Sequence, residues 1–231
     1  VATTVQAKLR ETVSVKDFGA VGDGVTDDTA AIQAALDSGA LNVHIPSGSY
    51  KITSGANAYG VRITVDNLTI TGDGLENTTL VYTSSAINQP GLLVQASGVL
   101  LDGFTVDGSA NATNAGTGAA SNCHDISIED SNDCQVSNCG VIGGHYGVNL
   151  DNSGSDYTVN ANNRVINCVA RNTASSGFHL TRASFALVQE CDAKEAGTDG
   201  FKTSGYTYRT RIIGNTSSNN TRDGFDLYDG F

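Results

Sequence analysis

Gly177-Phe178-His179-Leu180 recurs in the second half of the chain as Gly147-Val148-Asn149-Leu150, Gly200-Phe201-Lys202-Thr203 and Gly224-Phe225-Asp226-Leu227. The four glycines stand 30, 23 and 24 residues apart. Two further columns keep the same register: Val136, Val165, Val188 and Ile212, and Cys139, Cys168, Cys191 and Asn215. Agreement of three columns marks a coil of roughly two dozen residues, since self-similarity at such a period is the signature of a stacked repeat. The longer first spacing then contains an inserted loop at about Asn152–Asn160.

Side chains along a strand alternate between faces. The repeat therefore points Val148, Phe178, Phe201 and Phe225 inward, together with Leu150, Leu180, Thr203 and Leu227. This predicts a phenylalanine ladder and a ladder of buried thiols from Cys139, Cys168 and Cys191, which Asn215 extends by hydrogen-bonding its neighbours. Five cysteines cannot all pair internally, so free thiols are expected. A stack of coils leaves its ends exposed and needs caps. Ala30–Leu36, with Ile32, Ala35 and Leu36 on one face, is the natural cap at the N-terminal end.

Composition agrees with an all-β chain of short strands and many turns. Glycine is abundant at 27 residues, proline numbers only 2, and charged residues are 16%, with much of the remainder Asn, Ser and Thr. Such residues tolerate or stabilise turn conformations, and the mixture does not suit a helical bundle. Residues 1–12 form a connector with a short helix expected at Thr4–Glu11, and residues 13–231 form the repeat domain. Within it, Val13–Ala20 reads as a short strand. Gly22–Thr29 reads as a turn entering the helix, with Thr26 as the cap and Asp27 and Asp28 at the favourable N-terminal end. Further strands are expected at Val43–Ile45, Val61–Ile63, Leu68–Ile70, Val99–Leu101 and Ile126–Ile128, and residues 107–122 form a low-complexity loop.

The formal charge is −11, which disfavours nucleic acid and membrane surfaces as partners. No signal-peptide pattern and no apolar run of membrane-spanning length is present. The charge is unevenly distributed. No Lys or Arg lies between Arg62 and Arg164, and eight follow from Arg164 onward. The later half can meet an acidic ligand locally, or these can be solvated turn charges.

The repeat also defines outward columns. One reads Tyr146, Ser176, Asp199, Asp223; the next reads Asn149, His179, Lys202, Asp226; a third reads Asp151, Thr181, Ser204, Tyr228. Neighbouring strands lie about 4.8 Å apart. The columns thus form a polar face with acids, a base, a cation and Tyr rings, the groups that recognise a saccharide. Hydrolysis needs two carboxylates, roughly 5–5.5 Å apart for retention and 6.5–9.5 Å for inversion. Asp199 with Asp223 or Asp226 supplies them. Proton abstraction beside a uronate carboxylate needs a base and a neutralising group; His179, Tyr206, Lys202 and Arg182 are suitable types. The competing readings are plain: Asp-Gly is an ordinary turn pair, and His179 can be a simple surface residue. The acidic groups Asp27/Asp28 and Glu129/Asp130/Asp133 read as a helix start and a turn, so no metal or cofactor is expected.

Val15–Gln33, containing Asp17-Phe18-Gly19-Ala20-Val21-Gly22-Asp23-Gly24-Val25-Thr26-Asp27-Asp28, closely resembles the opening of pectate-lyase-like β-helix proteins, which include phage tailspikes, polygalacturonase relatives and alginate epimerases. Val43–Tyr50 resembles their next element, and Val1–Glu11 resembles the connector before the β-helix in phage tail proteins. The resemblance covers the first 50 residues and marks fold entry, not chemistry. It implies a right-handed parallel β-helix with a short N-terminal capping helix. It further implies a homotrimeric tailspike on the virion tail that binds, and often cleaves, bacterial surface polysaccharide and meets other phage tail proteins through its N-terminal side. Family members continue for more coils and a trimerising region, so a C-terminal truncation at Phe231 is expected. A secreted bacterial polysaccharide lyase or hydrolase and a non-catalytic structural spike are the alternatives. The alginate-epimerase site resembles Tyr-Gly-Phe-Asp-Pro-His; no coil here carries that set, since Gly177-Phe178-His179-Leu180 lacks its Tyr, Asp and Pro and Tyr146-Gly147-Val148-Asn149 has Asn for Asp. The paired-Asp signature of polygalacturonases is absent as well.

Overall fold

The computed structural model describes residues 11–54, 58–84, 89–110, 123–152 and 161–228. The expected helix at Thr4–Glu11 and most of the loops at 107–122 and Asn152–Asn160 lie outside these residues. Among the described residues, twenty-three short strands form three parallel sheets of eight, eight and seven strands, wound as a right-handed β-helix. Sheet A runs from Thr12–Ser14 through Gln135–Ser137, Arg164–Ile166 and Leu187–Gln189 to Arg211–Ile213. Sheet B runs from Asp23–Asp27 to Thr216–Ser218, and sheet C from Val61–Ile63 to Phe225–Leu227.

The register read from the repeat is the register of the sheets. Val136 pairs with Val165, Val165 with Val188 and Val188 with Ile212. Val148 pairs with Phe178, Phe178 with Phe201 and Phe201 with Phe225. The Phe rings stack at 4.9 and 4.8 Å with interplanar angles of 10° and 7°. Cys139, Cys168, Cys191 and Cys134 are buried free thiols, and Cys123 is buried as well. Burial pushes the Cys139 thiol up to about 12. Asn215 ends the cysteine column: its Oδ1 accepts the Cys191 N–H at 2.8 Å and its Nδ2 donates to the Val188 carbonyl at 2.9 Å.

Asparagine at the corner between sheets A and B has a local reason. Asn138 and Asn167 adopt φ of 50° and 51°, a left-handed conformation that short polar side chains tolerate. Their amides also form a ladder, Asn167 Nδ2 donating to Asn138 Oδ1 and Asn138 Nδ2 to Asp102 Oδ1, both at 2.7 Å.

The N-terminal region differs from the expectation in two details. Only Thr12–Ser14 is a strand; Val15–Phe18 is a 3-10 turn. The helix α1 spans Thr29–Leu36, and neither Thr26 nor Asp28 caps it through a side chain. Thr26 instead donates to Asp23 within the strand Asp23–Asp27, and the buried Asp28 carboxylate accepts the N–H groups of Val21 and Gly22 at 2.7 and 3.0 Å. Those two donors lie in a non-repetitive loop and have more need of an acceptor than a helix end that water reaches.

The capping face is as expected, with Ile32, Ala35 and Leu36 buried over the first coil. Gln33 adds what apolar residues cannot. Val61–Ile63 is the edge strand of sheet C, and the Gln33 side-chain amide pairs with Arg62 like one residue of a neighbouring strand. Its Oε1 accepts the Arg62 N–H and its Nε2 donates to the Arg62 carbonyl, both at 2.9 Å. Gln33→Ala is expected to lower the unfolding free energy by about 1–3 kcal/mol, because it strands two half-buried backbone groups. Urea denaturation measures this, and an unchanged midpoint would show that water replaces the amide without cost.

Candidate functional site

The outer face of sheet C is built by strands Ile126–Glu129, Val148–Asp151, Phe178–Thr181, Phe201–Ser204 and Phe225–Leu227. Their inward residues fill the core, so the alternate positions stack on the other face as Ser127, Asn149, His179, Lys202 and Asp226. The expected column is present, but its first members are not exposed. Asn149 and His179 are only 2% and 6% accessible.

They are buried because they bond to each other across coils. Asn149 Nδ2 donates to Ser127 Oγ at 3.2 Å, and the Ser127 hydroxyl donates to Glu129 Oε1 at 3.0 Å. That leaves Asn149 Oδ1 facing His179 Nδ1 at 2.9 Å, so the network assigns the ring proton to Nδ1. Nε2 then accepts from the Ser204 hydroxyl at 2.8 Å, and Thr181 lies 3.0 Å from Ser204. Burial, followed by the Lys202 charge and His145, lowers the His179 pKa to about 3, so the ring is neutral and its Nε2 lone pair is taken up by the Ser204 hydroxyl.

The column preceding each glycine also departs from the expectation. Ser176 and Asp199 are fully buried, Tyr146 is half-buried and Asp223 is exposed. Asp199 does not face the Asp223 carboxylate: its Oδ1 accepts the Asp223 N–H at 3.3 Å. The cation Lys202 stands between Asp199 and Asp226 instead, at 3.3 and 2.9 Å, and Arg222 lies 3.8 and 3.9 Å from the same two carboxylates. The residue after the turn supplies a backbone donor that a buried carboxylate needs, and a like charge is thereby kept away. Burial pulls the Lys202 ammonium down, but hydrogen bonds to Asp226 and Asp199 outweigh it and raise its pKa.

The other predicted residues border this face. Arg182 sits just past its strand with φ 51°, bonding Asp151 at 3.1 Å and the Asn152 carbonyl. Burial raises the Asp151 pKa, and the Arg182 charge opposes the rise. Tyr206 and Tyr228 are 48% and 62% exposed, in the segments that leave the last two strands. The Tyr228 carbonyl accepts the Thr203 hydroxyl at 3.0 Å. Among the described residues no cluster of His, Cys, Asp and Glu has the form of a metal site. Asp130 and Asp133 occupy left-handed turn positions, with φ of 50° and 58°.

Sequence reading missed the aromatic cluster around Tyr146. Its ring stacks on His124 at 4.9 Å and 14° and lies tilted against His179 at 4.0 Å and 32° and against His145 at 4.5 Å and 52°. Burial, with the neighbouring His145 and His179, lowers the His124 pKa to about 3; burial also lowers His145 and raises Tyr146. A signal was present. His124 lies two residues before Ile126, as Tyr146 lies two before Val148, so it continues the same column one coil back. The glycine that marks this column elsewhere is Asp125 there, which breaks the visible pattern. Asp125 is fully buried with its pKa raised well above the usual range, chiefly by burial, and accepts the Gly144 N–H at 3.0 Å. A Cβ on Gly144 would come within 2.6 Å of the Asp125 carboxyl carbon, so this approach requires glycine.

Known proteins share the sequence and the fold of this chain. The chain is 30% identical to alginate lyase 7 of Azotobacter vinelandii over 93% of its own length and 23% of that protein's. It is 28% identical to the pre-neck appendage protein of Bacillus phage B103, over 94% of the chain and 24% of the relative. It thus spans about a quarter of the length of either. Among solved structures it superposes on the A-module of the Azotobacter vinelandii mannuronan C-5 epimerase AlgE6 with a TM-score of 0.76 at 20% identity, covering 92% of this chain and 57% of that one. The family model for rhamnogalacturonase A/epimerase, pectate lyase-like proteins matches residues 12–229. By that match and by its parallel β-helix, the chain belongs to the rhamnogalacturonase A/epimerase, pectate lyase-like family.

Proposed function

We propose that this chain is the sugar-contacting stretch of a β-helical phage appendage that binds a bacterial surface polysaccharide along the outer face of sheet C. The observation that carries this reading is the accessible end of the sheet C column, where Lys202 and Asp226 lie at one-coil spacing near the exposed Tyr206 and Tyr228, over the buried network of Asn149 and His179. That end of the face offers a cation, a carboxylate and exposed aromatic rings close together, which matches a chain of hydroxylated rings. The names of the relatives support both halves of the proposal: a lyase and an epimerase act on alginate and mannuronan, and an appendage protein belongs to a phage. The full assembly is a homotrimer on the virion tail, joined to other tail proteins through its N-terminal side. Light scattering showing only monomer at micromolar concentration for the full-length protein would count against that part.

The test is affinity for a panel of bacterial capsule polysaccharides. Asp226→Asn and Tyr228→Ala should each weaken binding at least tenfold, about 1.4 kcal/mol. Both positions are accessible, so melting temperatures should stay close to that of the parent. Unchanged affinity in both variants would remove the sugar from this face.

A second reading, depolymerisation, whether by a phage protein or by a secreted bacterial lyase, is favoured by the neutral His179, whose Nε2 accepts from the partly exposed Ser204 hydroxyl, and by the adjacent Lys202. Such a base would take a proton beside a carboxylate held by the ammonium. Release of unsaturated uronates that falls about a hundredfold or more in His179→Asn supports it. Release of reducing ends without unsaturation would point to the carboxylates Asp199 and Asp226, and no release would leave a binding module or a structural spike.

A further inference from the structure

A second surface has the composition of a glycan site and lies on sheet A. The turn that enters this sheet holds a left-handed residue on four successive coils: Asp133 at φ 58°, Asn162 at 59°, Phe185 at 55° and Arg209 at 50°. The first two are residues that such a turn accepts readily, whereas a phenylalanine and an arginine are disfavoured there. Both are nonetheless accommodated in this turn. Phe185 is 47% exposed and Tyr208 52%, the two rings meeting edge to face at 5.6 Å. The Arg209 guanidinium lies 5.1 Å from the Tyr208 ring and 5.9 Å from the Phe185 ring. A guanidinium stacked in this way keeps its N–H edge free for a carboxylate.

Beside it, the register of sheet A places Arg164, Leu187 and Arg211 in one outward column. Arg164 and Arg211, both exposed, are two coils apart and so roughly 10 Å from each other along the axis. They border a groove of about 460 Å³ whose wall includes Phe185 and Leu187. Among the described residues Asp133 is the one acid in that groove, and it is engaged by the Asn162 amide at 3.2 Å. Among the described residues Arg164, Arg209 and Arg211 form no ion pair, while Arg182, Lys202 and Arg222 at sheet C all have carboxylate partners. Of these six cations, the three with unused capacity lie on the sheet A side.

We propose that this surface is a second glycan-binding site and that it takes an anionic polysaccharide, one with carboxylates on its sugar rings. Arg164 and Arg211 bind carboxylates on successive parts of the polymer, Arg209 a third, and Phe185 and Tyr208 cover the apolar sugar faces. The net charge of −11 opposes any polyanion away from this patch, which confines the contact to these arginines and rings. This inference rests on the reading that the chain engages a polysaccharide, and it adds a surface that holds the polymer outside sheet C.

The experiment measures binding of polymannuronate, neutral dextran and single-stranded DNA to the whole chain and to Arg164→Ala/Arg211→Ala, Phe185→Ala/Tyr208→Ala and Asp226→Asn. Polymannuronate binding should weaken at least tenfold in the first two variants and lose part of its salt dependence in the arginine variant. Dextran and DNA should bind at least tenfold more weakly than polymannuronate. Absence of polymannuronate binding by the parent chain, undiminished binding by the arginine variant, or equal binding of DNA would each overturn the proposal. Loss in Asp226→Asn with no loss in the arginine variant would overturn it while leaving the sheet C site standing. Loss in the arginine variant alone would support this surface and count against sheet C.

Discussion

Replacing Phe201 with alanine is expected to lower the unfolding free energy by about 3–5 kcal/mol. The ring is fully buried between Phe178 and Phe225, so its removal opens a cavity at the centre of a stack. Coils of a solenoid are stabilised by their neighbours. The loss should therefore be concentrated in the coils from Phe178 to Phe225, and strands near the N-terminal helix should retain their protection against hydrogen exchange. Phe201→Leu should be much milder, because it keeps most of the volume. A cost below about 1 kcal/mol for the alanine variant would mean that the ladder does not hold these coils together.

Acid is expected to weaken the fold well above the range where most carboxylates titrate. His124 and His179 each have a folded pKa near 3 because burial excludes the imidazolium. The unfolded value is about 6.5. A depressed folded pKa contributes stability that is present above pH 6.5 and is lost as the pH falls toward 3. Because the unfolded rings are already half protonated at pH 6.5, the two rings together lose about 3 kcal/mol between pH 6.5 and 5. Asp125 runs the other way in the same window, since its raised folded pKa makes it lose stability as the pH rises. The parent chain should show the difference between these trends, and Asp125→Asn should reveal the full histidine effect. Urea denaturation of Asp125→Asn at pH 6.5 and 5 measures it, and equal stability at both would mean the histidines are not held neutral. Adding His179→Gln should roughly halve the slope.

The architecture was legible because its signal is redundant. The positions of Val165, Phe178 and Cys168 each repeat on successive coils, and a register error would have had to move all three columns together. The helix face was legible for the same reason, in the spacing of Ile32, Ala35 and Leu36. The site was legible only as a column of residue types. Alternation assigns Asn149 and His179 to the outer face but cannot show that they bond across coils and are buried there. Nor does it show that Asp199 turns to the Asp223 N–H and to Lys202, because that depends on the direction of one side chain at a turn. His124 escaped because the marker glycine is replaced by Asp125 on its coil. The exposed Phe185 and Tyr208 follow no repeat column that was read, and their pairing with Arg209 emerges only once the turn before sheet A is built.

The central claim, that a polysaccharide lies along the outer face of sheet C, is tested most directly by hydrogen–deuterium exchange with and without a saturating polysaccharide ligand. The account predicts slower exchange in the segments containing Tyr146–Asp151, Phe178–Arg182, Phe201–Tyr206 and Asp223–Tyr228. The strands of sheet B at Val169–Arg171 and Asp192–Lys194, on another side of the coil, should be unaffected. Protection confined to sheets A or B, with the four sheet C segments exchanging as they do in the free protein, would contradict it.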